Sequence, residues 1–194
     1  MLALLLSLAL AVPADTSCIW NRSIEPGEGV ITLPAERRAR SPQDSVTFAA
    51  GGATVKVCYS RPSLRGRHMV GAEAVPYGRV WRTGANEATM IHTTGHLVIA
   101  GIHLEAGTYA LYTVPGEREW EVMVNRSYMQ WGHEGTYSDS VRAQEVGRGR
   151  VPAARTSAPV ERFTISSQPT NGGDANLVLE WENTRVAIPV QRMR

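Results

Sequence analysis

Residues 97–125 have the sequence LVIAGIHLEAGTYALYTVPGEREWEVMVN, and the pattern within them decides the fold. Short apolar runs are separated by turns that contain glycine or proline. In the last run the apolar residues Trp120, Val122 and Val124 recur at every second position, which is the period of a half-buried antiparallel strand. We predict strands at Leu97–Ile99, Ile102–Leu104, Thr108–Val114 and Trp120–Asn125.

The same pattern continues on both sides of this stretch. In Thr54–Arg61, the residues Val55, Val57 and Tyr59 share one face, and Arg61 continues that face where the strand ends. The remaining predicted strands are Met90–His92, Val160–Ile165, Leu177–Trp181 and Arg185–Val190.

Helical periodicity is weak and confined to Asp139–Val146. The segment Gly147–Pro159 is rich in glycine, arginine, proline and alanine, and we expect it to be an exposed loop. About eight to ten short strands joined by turns predict an all-β fold, an antiparallel β-sandwich or jelly-roll-like domain with little helix.

Composition limits the kinds of partner. The chain has 194 residues, of which 43% are hydrophobic, and this is enough to build one domain with its own core. The formal net charge is only +2, which gives no electrostatic reason to expect a nucleic-acid partner. Lys56 is the only lysine, so arginine carries nearly all the positive charge. Arginine suits contacts to carboxylates or phosphates, but a GC-rich genome produces the same skew, and we favour that explanation.

Three regions follow from the distribution of residue types. Residues 1–14 are predicted to be a signal peptide, because the apolar run is too short to span a bilayer and ends in small residues. Residues 15–44 are expected to form an extended N-terminal arm or linker, and residues 45–194 the β domain. We therefore expect a protein exported to the periplasm or the exterior, with no transmembrane span in the mature chain; its oligomeric state is not predicted.

The chain has two cysteines, Cys18 and Cys58. In an oxidising compartment they are a candidate disulfide that ties the mature N-terminus to a strand. The alternative is a buried, apolar Cys58 and an unpaired Cys18. A single pair has no spacing pattern that decides between the two.

Aromatic, arginine and amide side chains are concentrated in Trp81–Thr89, with the sequence WRTGANEAT. Shorter blocks accompany it at Tyr59–Pro62, Gly66–Arg67, Pro76–Gly78, Ala106–Tyr109, Pro115–Gly116, Trp120, Gln130–Gly132 and Trp181–Glu182. Together these blocks resemble the bacterial family called domain of unknown function 2911, over about residues 45–190. The resemblance implies an exported, β-rich domain and no assigned activity.

Two interpretations of this polar and aromatic cluster are open. In the first, arginines, aromatic walls and directional polar groups line a pocket for a small anionic or hydroxylated ligand. Its predicted ligand-binding residues are Arg61, Arg67, Tyr77, Trp81, Arg82, Asn86, Glu87 and Trp131. In the second, the same groups form an internal network of arginine–glutamate pairs and amide–backbone bonds that braces a tight loop.

An enzyme is the rival hypothesis. Glu87 would act as general acid or base of a hydrolase, with an arginine stabilising the developing negative charge. Ser60 and Ser63 precede His68, so a serine–histidine pair is conceivable, although no nucleophile-elbow motif occurs. No phosphate-binding glycine loop and no Cys-x-x-Cys is present, and no cofactor is predicted.

Histidine spacing does not predict a metal site. His92, His96 and His103 do not match the spacing of a helix-borne zinc motif, and a turn is expected between the first two. We expect these three to be surface histidines. A third functional class is an envelope scaffold that binds another protein through sheet edges or the arginine-rich arm.

Overall fold

A computed structural model describes residues 18, 23–25, 29–31, 34–131 and 137–193. The predicted signal peptide, 1–14, lies outside the described residues. The elements within them are, in chain order, β1 (Ser23–Glu25), β2 (Gly29–Ile31), α1 (Ala35–Ala39), β3 (Gln43–Ala50), β4 (Ala53–Ser60), β5 (Thr89–Thr93), β6 (Leu97–Ile99), β7 (Ile102–Leu104), β8 (Gly107–Val114), β9 (Glu119–Asn125), α2 (Asp139–Arg142), β10 (Glu145–Pro169) and β11 (Ala175–Arg192).

Nine of these strands form one antiparallel sheet in the described part of the chain, in the order β3-β4-β5-β8-β9-β10-β11-β6-β7. β1 and β2 form a separate antiparallel pair. The prediction of an all-β, antiparallel fold with little helix is confirmed. The predicted strands within 97–125 are found with their ends shifted by at most one residue.

The long strand β10 joins the two halves of the sheet. Its first part, Glu145–Pro152, pairs with β9, and its second part, Ala153–Pro169, pairs with β11. Side chains from both halves belong to a single buried cluster, and the rings of Tyr59 and Phe163 meet edge to face across it at 5.8 Å. The two halves therefore enclose one core.

The expectation of a loop at Gly147–Pro159 was wrong, although most of these residues are exposed as expected. These residues lie in β10, whose pairing with β11 shifts register between Arg155 and Val160 and again between Val160 and Thr164. Glycine and proline favour loops locally, but backbone pairing with β9 and β11 outweighs that preference. The two strands predicted at Leu177–Trp181 and Arg185–Val190 are likewise one strand, β11.

A second, smaller cluster lies on the opposite face of β8 and β9. Tyr112 and Met123 from these strands pack there with Tyr137 and with Val141 of α2. α2 is a single turn within the weak helical stretch that was predicted, and the Ser138 hydroxyl caps it by accepting a bond from the Val141 amide at 3.4 Å. This cover explains why β8 is buried on both faces.

The N-terminal segment is attached to the sheet. Cys18 and Cys58 form a disulfide, with Cα atoms 5.7 Å apart. The described part of the expected arm contains β1, β2 and α1, and β3 begins at Gln43, two residues before the predicted domain boundary. No helix among the described residues has the length and apolarity needed to cross a membrane.

Candidate functional site

Trp81 belongs to the core of the fold. It is 8% exposed, and its ring stacks on Trp181 with centroids 5.8 Å apart. Trp120 and Phe163 meet it edge to face, and its indole N–H donates to the Gly84 carbonyl at 3.1 Å. A side chain buried in this way stabilises the fold and is not a wall of a ligand pocket.

The rest of the Trp81–Thr89 block is a tight loop that is stabilised by hydrogen bonds between its own residues. Thr83 and Asn86 adopt positive φ angles of 56° and 63°, which residues with a Cβ rarely adopt. The Thr89 hydroxyl donates to the Thr83 carbonyl at 2.6 Å, and the Thr89 amide donates to the Arg82 carbonyl at 3.0 Å. These bonds hold the unusual backbone in place.

Arg82, Asn86 and Trp131 do converge, as predicted, but they bind one another. Arg82 Nη1 donates to the carbonyls of Asn86 at 2.6 Å and Trp131 at 3.1 Å, and its guanidinium lies 5.6 Å from the centre of the Trp131 ring. Asn86 Nδ2 donates to Ser60 Oγ at 3.4 Å. The arrangement is that of the bracing network.

Glu87 is paired with Arg38, a residue that sequence reasoning did not include in the site. Arg38 Nη2 lies 2.5 Å from Glu87 Oε1, and Nη1 lies 3.2 Å from Oε2. The two side chains are only 12% and 10% exposed. The arginine run that contains Arg38 was visible in the sequence, but its contact spans 49 positions and no local pattern indicates it.

Arg61 and Arg67 make their contacts elsewhere. Arg61 pairs with Asp44 at 3.0 Å and donates to the Phe163 carbonyl at 3.1 Å, so it ties β4 to β3 and β10. Arg67 donates to the carbonyl of Leu64 at 3.0 Å and fixes its own turn. Arg61, Arg67 and Arg82 are therefore anchored at different places in the fold.

A different set of residues lines a cleft of about 280 Å³, in which His68, Tyr77 and Glu182 are the chemically distinctive groups. His68 Nδ1 lies 2.6 Å from Glu182 Oε1. Glu182 Oε2 accepts the backbone amides of Val70 at 3.0 Å and Met69 at 3.2 Å. The His68 side chain is 68% exposed and that of Glu182 is 14% exposed, so a partly buried carboxylate holds an accessible imidazole.

The electrostatic state of Glu182 follows from these contacts. Partial burial alone would raise its pKa, but the bonds from His68 and from the amides of Val70 and Met69 outweigh burial and hold the pKa below its usual range. Glu182 also has a positive φ of 57° beside the β10 bulge. A strained, ionised residue in a cleft is a feature that functional sites often share.

Tyr77 stands at the same cleft. Of the large hydrophobic side chains that the structure describes, it alone is exposed, at 43%. Its ring packs on Gly71, where an added Cβ would lie 2.6 Å from the ring Cζ. Gly71 also has a φ of +85°, so glycine is required both by the backbone and by the ring. Tyr77 is therefore held at the edge of the cleft by packing.

A sequence family described as protein of unknown function (DUF2911) matches residues 41–190 of this chain. The chain belongs to this family. No curated protein and no solved structure matches it. The DUF2911 match includes His68, Tyr77 and Glu182, whereas Arg38, the partner of Glu87, lies before its first residue.

Part of the cleft could have been found from the DUF2911 blocks. Tyr77 and Glu182 both lie in blocks that carry the resemblance, and His68 follows another block directly. The block that contains Glu182 is more than 100 positions from the blocks near His68 and Tyr77, so only the fold brings His68 and Glu182 together. From the sequence, His68 is considered only as a partner of Ser60 or Ser63, and Glu182 is not included among the candidate site residues.

The histidine prediction was wrong for one residue. His96 and His103 are exposed, but His92 is buried in the central strand β5, where its Nδ1 lies 2.8 Å from the Thr108 hydroxyl. The reason is that β5 is buried on both faces of the DUF2911 domain. Among the described residues, no group of three or more histidine, cysteine, aspartate or glutamate side chains is arranged to hold a metal ion.

Proposed function

We propose that this DUF2911 protein is exported and binds a small hydroxylated or anionic ligand in the cleft at His68 and Glu182. The observation that carries the proposal is the exposed imidazole of His68, which a partly buried carboxylate holds at 2.6 Å in a concave part of the surface. A fixed side chain loses little entropy when a ligand binds, and this favours recognition. The proposed ligand site is therefore the cleft at His68 and Glu182 and not the block around Arg82.

The residues around the cleft suit such a ligand. Tyr77 offers an aromatic ring at the edge, and Asn183 and Thr184 offer an amide and a hydroxyl. Arg155 supplies a guanidinium, which matches carboxylate or phosphate groups. Glu117 and Glu182 add negative charge, so a ligand with hydroxyl groups and at most a few anionic groups fits better than a polyanion.

Two observations support export. Residues 1–14 are an apolar run that ends in small residues, as the apolar region and cleavage site of a signal peptide do. The Cys18–Cys58 disulfide is of a kind that persists in oxidising compartments and is rare in the cytosol. A fusion of residues 1–40 to a reporter that is active only after export tests this point, and reporter activity that depends on residues 1–14 is expected.

Thermal-shift measurements with a panel of monosaccharides, sugar acids and small carboxylates test the ligand proposal. We expect at least one compound to raise the melting temperature of the wild-type protein, and His68→Ala and Tyr77→Ala to lose the increase. His96→Ala is the matched control, because His96 is an exposed histidine outside the cleft. A compound that stabilises the wild type and His68→Ala equally would contradict the proposed site.

A hydrolase is the second candidate, with His68 replacing Glu87 as the proton acceptor. The specific observation is that Glu182 holds Nδ1, which leaves Nε2 as the nitrogen for a substrate or water, as in acid–base pairs of known enzymes. Hydrolysis of p-nitrophenyl acetate should then fall in His68→Ala and in Glu182→Gln. Equal loss in His96→Ala would mean that exposed imidazoles react unspecifically.

The scaffold hypothesis has less support. A docking surface of that kind is expected to expose a sizeable apolar patch. Tyr77 is the one large hydrophobic side chain exposed in the described part of the chain, and it belongs to the cleft.

A further inference from the structure

The contact between Glu87 and Arg38 has the form of a ligand in a binding site. Both carboxylate oxygens face a guanidinium nitrogen, at 2.5 Å and 3.2 Å. Glu87 is 10% exposed, so its carboxylate is largely withdrawn from water. A planar guanidinium matches this two-pronged geometry, whereas an ammonium group can satisfy it only as a point charge.

The Glu87 side of this contact is built into the domain. Glu87 follows Asn86, whose carbonyl accepts a bond from Arg82 at 2.6 Å, and the block is closed by the bond from the Thr89 amide to the Arg82 carbonyl. Asn86 itself is held by Ser60 Oγ at 3.4 Å. All of these residues lie within the family match, so the carboxylate is positioned by the domain and not by Arg38.

The Arg38 side is different. Arg38 lies in α1, a helix of five residues with no buried residue, and three positions before the start of the family match at residue 41. The backbone bonds of Arg38 are local: its amide donates to the Pro34 carbonyl at 3.1 Å, and its carbonyl accepts a bond from the Ser41 amide at 3.0 Å. The chain after the helix is tied to the domain by bonds to the carbonyls of Arg40, Ser41 and Pro42, which come from Arg65 at 2.8 Å, Asn86 at 3.5 Å and Arg61 at 2.8 Å. The short surface helix α1 thus places the Arg38 guanidinium against the Glu87 carboxylate, which bonds within the domain already hold in position.

We propose that Glu87 forms a guanidinium-binding site that Arg38 occupies within the chain, and that the same site binds an arginine side chain of another polypeptide when α1 is displaced. This site is separate from the His68 cleft and does not depend on the ligand proposed there. Because Arg38 is tethered, its effective concentration at Glu87 is high, on the order of millimolar for a short tether. An external arginine therefore competes poorly with the native chain and binds freely only when Arg38 is removed.

The probe is a synthetic, fluorescently labelled peptide of residues 34–42, PAERRARSP, and its binding to the full-length protein is measured by fluorescence anisotropy. We expect the Arg38→Ala protein to bind this peptide at least about tenfold more tightly than the wild type does. Arg37→Ala is the matched control, since Arg37 is the neighbouring exposed arginine, and it should bind as weakly as the wild type. A peptide that carries Arg38→Ala should not bind the Arg38→Ala protein.

Two results would overturn the proposal. One is a folded Arg38→Ala protein that does not bind the peptide, and the other is equal binding of the two peptides. Arg38→Lys is studied in parallel, because its ammonium keeps the charge near Glu87 and loses the two-pronged bond. If Arg38→Ala does not fold, the Arg38→Lys protein provides the test. Tighter binding of the peptide to Arg38→Lys than to the wild type supports the site, and equal or weaker binding of the peptide rejects it.

Discussion

At the residue scale, Glu182 shows how one carboxylate can serve both stability and the candidate site. It accepts bonds from His68, Val70 and Met69 while adopting a positive φ. A backbone strained in this way persists only where surrounding contacts hold it. We infer that the orientation of His68 in the cleft depends on Glu182.

Glu182→Gln should lower the free energy of unfolding by about 2 kcal/mol near neutral pH, because bonds to an ionised acceptor are lost. The folded state holds the pKa of Glu182 below its ordinary value of 4.5. The stabilisation is therefore present above pH 4.5 and is lost as the pH falls through the folded pKa. The free energies of unfolding of the wild type and Glu182→Gln, measured in urea, should therefore converge in acid. Glu117→Gln is the control and should not show this convergence with the wild type.

Tyr59 is the buried counterpart at this scale. Its hydroxyl accepts a bond from the Ile165 amide at 2.9 Å and lies 3.3 Å from Asp44 Oδ2, so it connects β4 with β10 and β3. Burial, opposed in part by its hydrogen bonding to Ile165, raises its pKa from 10.0 to about 12. The folded state thus keeps this proton more tightly than the unfolded chain does.

Tyr59→Phe should cost about 1–3 kcal/mol, because the Ile165 amide is left buried without its partner. The raised pKa stabilises the folded state fully below pH 10, and that stabilisation is lost as the pH rises from 10 towards 12. Alkaline unfolding followed by circular dichroism should be less steep in Tyr59→Phe. Tyr137, whose pKa burial also raises to about 12, remains as a second alkaline transition in that variant.

At the element scale, β10 decides how the sheet closes. Gly149 in β10 lies against the turn between β6 and β7, and a Cβ at this position would overlap the carbonyl oxygen of Ala100. The absence of a side chain therefore allows one half of the sheet to approach the other. A glycine that looked like a loop signal in the sequence is required for packing between strands.

Gly149→Ala should destabilise the protein by about 1–3 kcal/mol, since backbone atoms must move to admit the methyl group. Gly147→Ala is the graded control. Its Cβ would lie 3.2 Å from a side-chain methyl of Ile102, which can yield more readily than backbone, so a smaller loss is expected. Equal losses in chemical unfolding experiments would contradict the importance of the Ala100 contact.

At the scale of the whole molecule, the disulfide ties the N-terminal segment to β4 across 40 positions. Closing a loop of this length restricts the unfolded chain, and the entropy model gives a stabilisation of about 4 kcal/mol as an upper value. Reduction, or Cys18→Ser with Cys58→Ala, should lower the denaturant midpoint without unfolding the sheet. An unchanged midpoint would show that the bond does not constrain the unfolded state.

The sequence by itself determined the class of fold. Alternation with period two and turn residues located most strands, because both signals are local. The sequence blocks that carry the resemblance were enough to identify the DUF2911 family. Local signals failed in β10, where pairing with distant strands outweighs the preference of glycine and proline for loops. They also failed at His92, which was expected at the surface but is buried because its strand is covered on both faces.

Only the tertiary structure decided what the dense block does and where the cleft lies. Arg38 reaches Glu87 across 49 positions and His68 reaches Glu182 across 114, and a contact between such distant residues has no periodicity or spacing that a sequence could display. Trp81 looked like a pocket wall because composition does not reveal which face is buried. The physical reason is the same for the Arg38–Glu87 contact, the His68–Glu182 contact and the burial of Trp81. Residue type limits what a side chain can bind, and the tertiary structure determines which partner lies next to it.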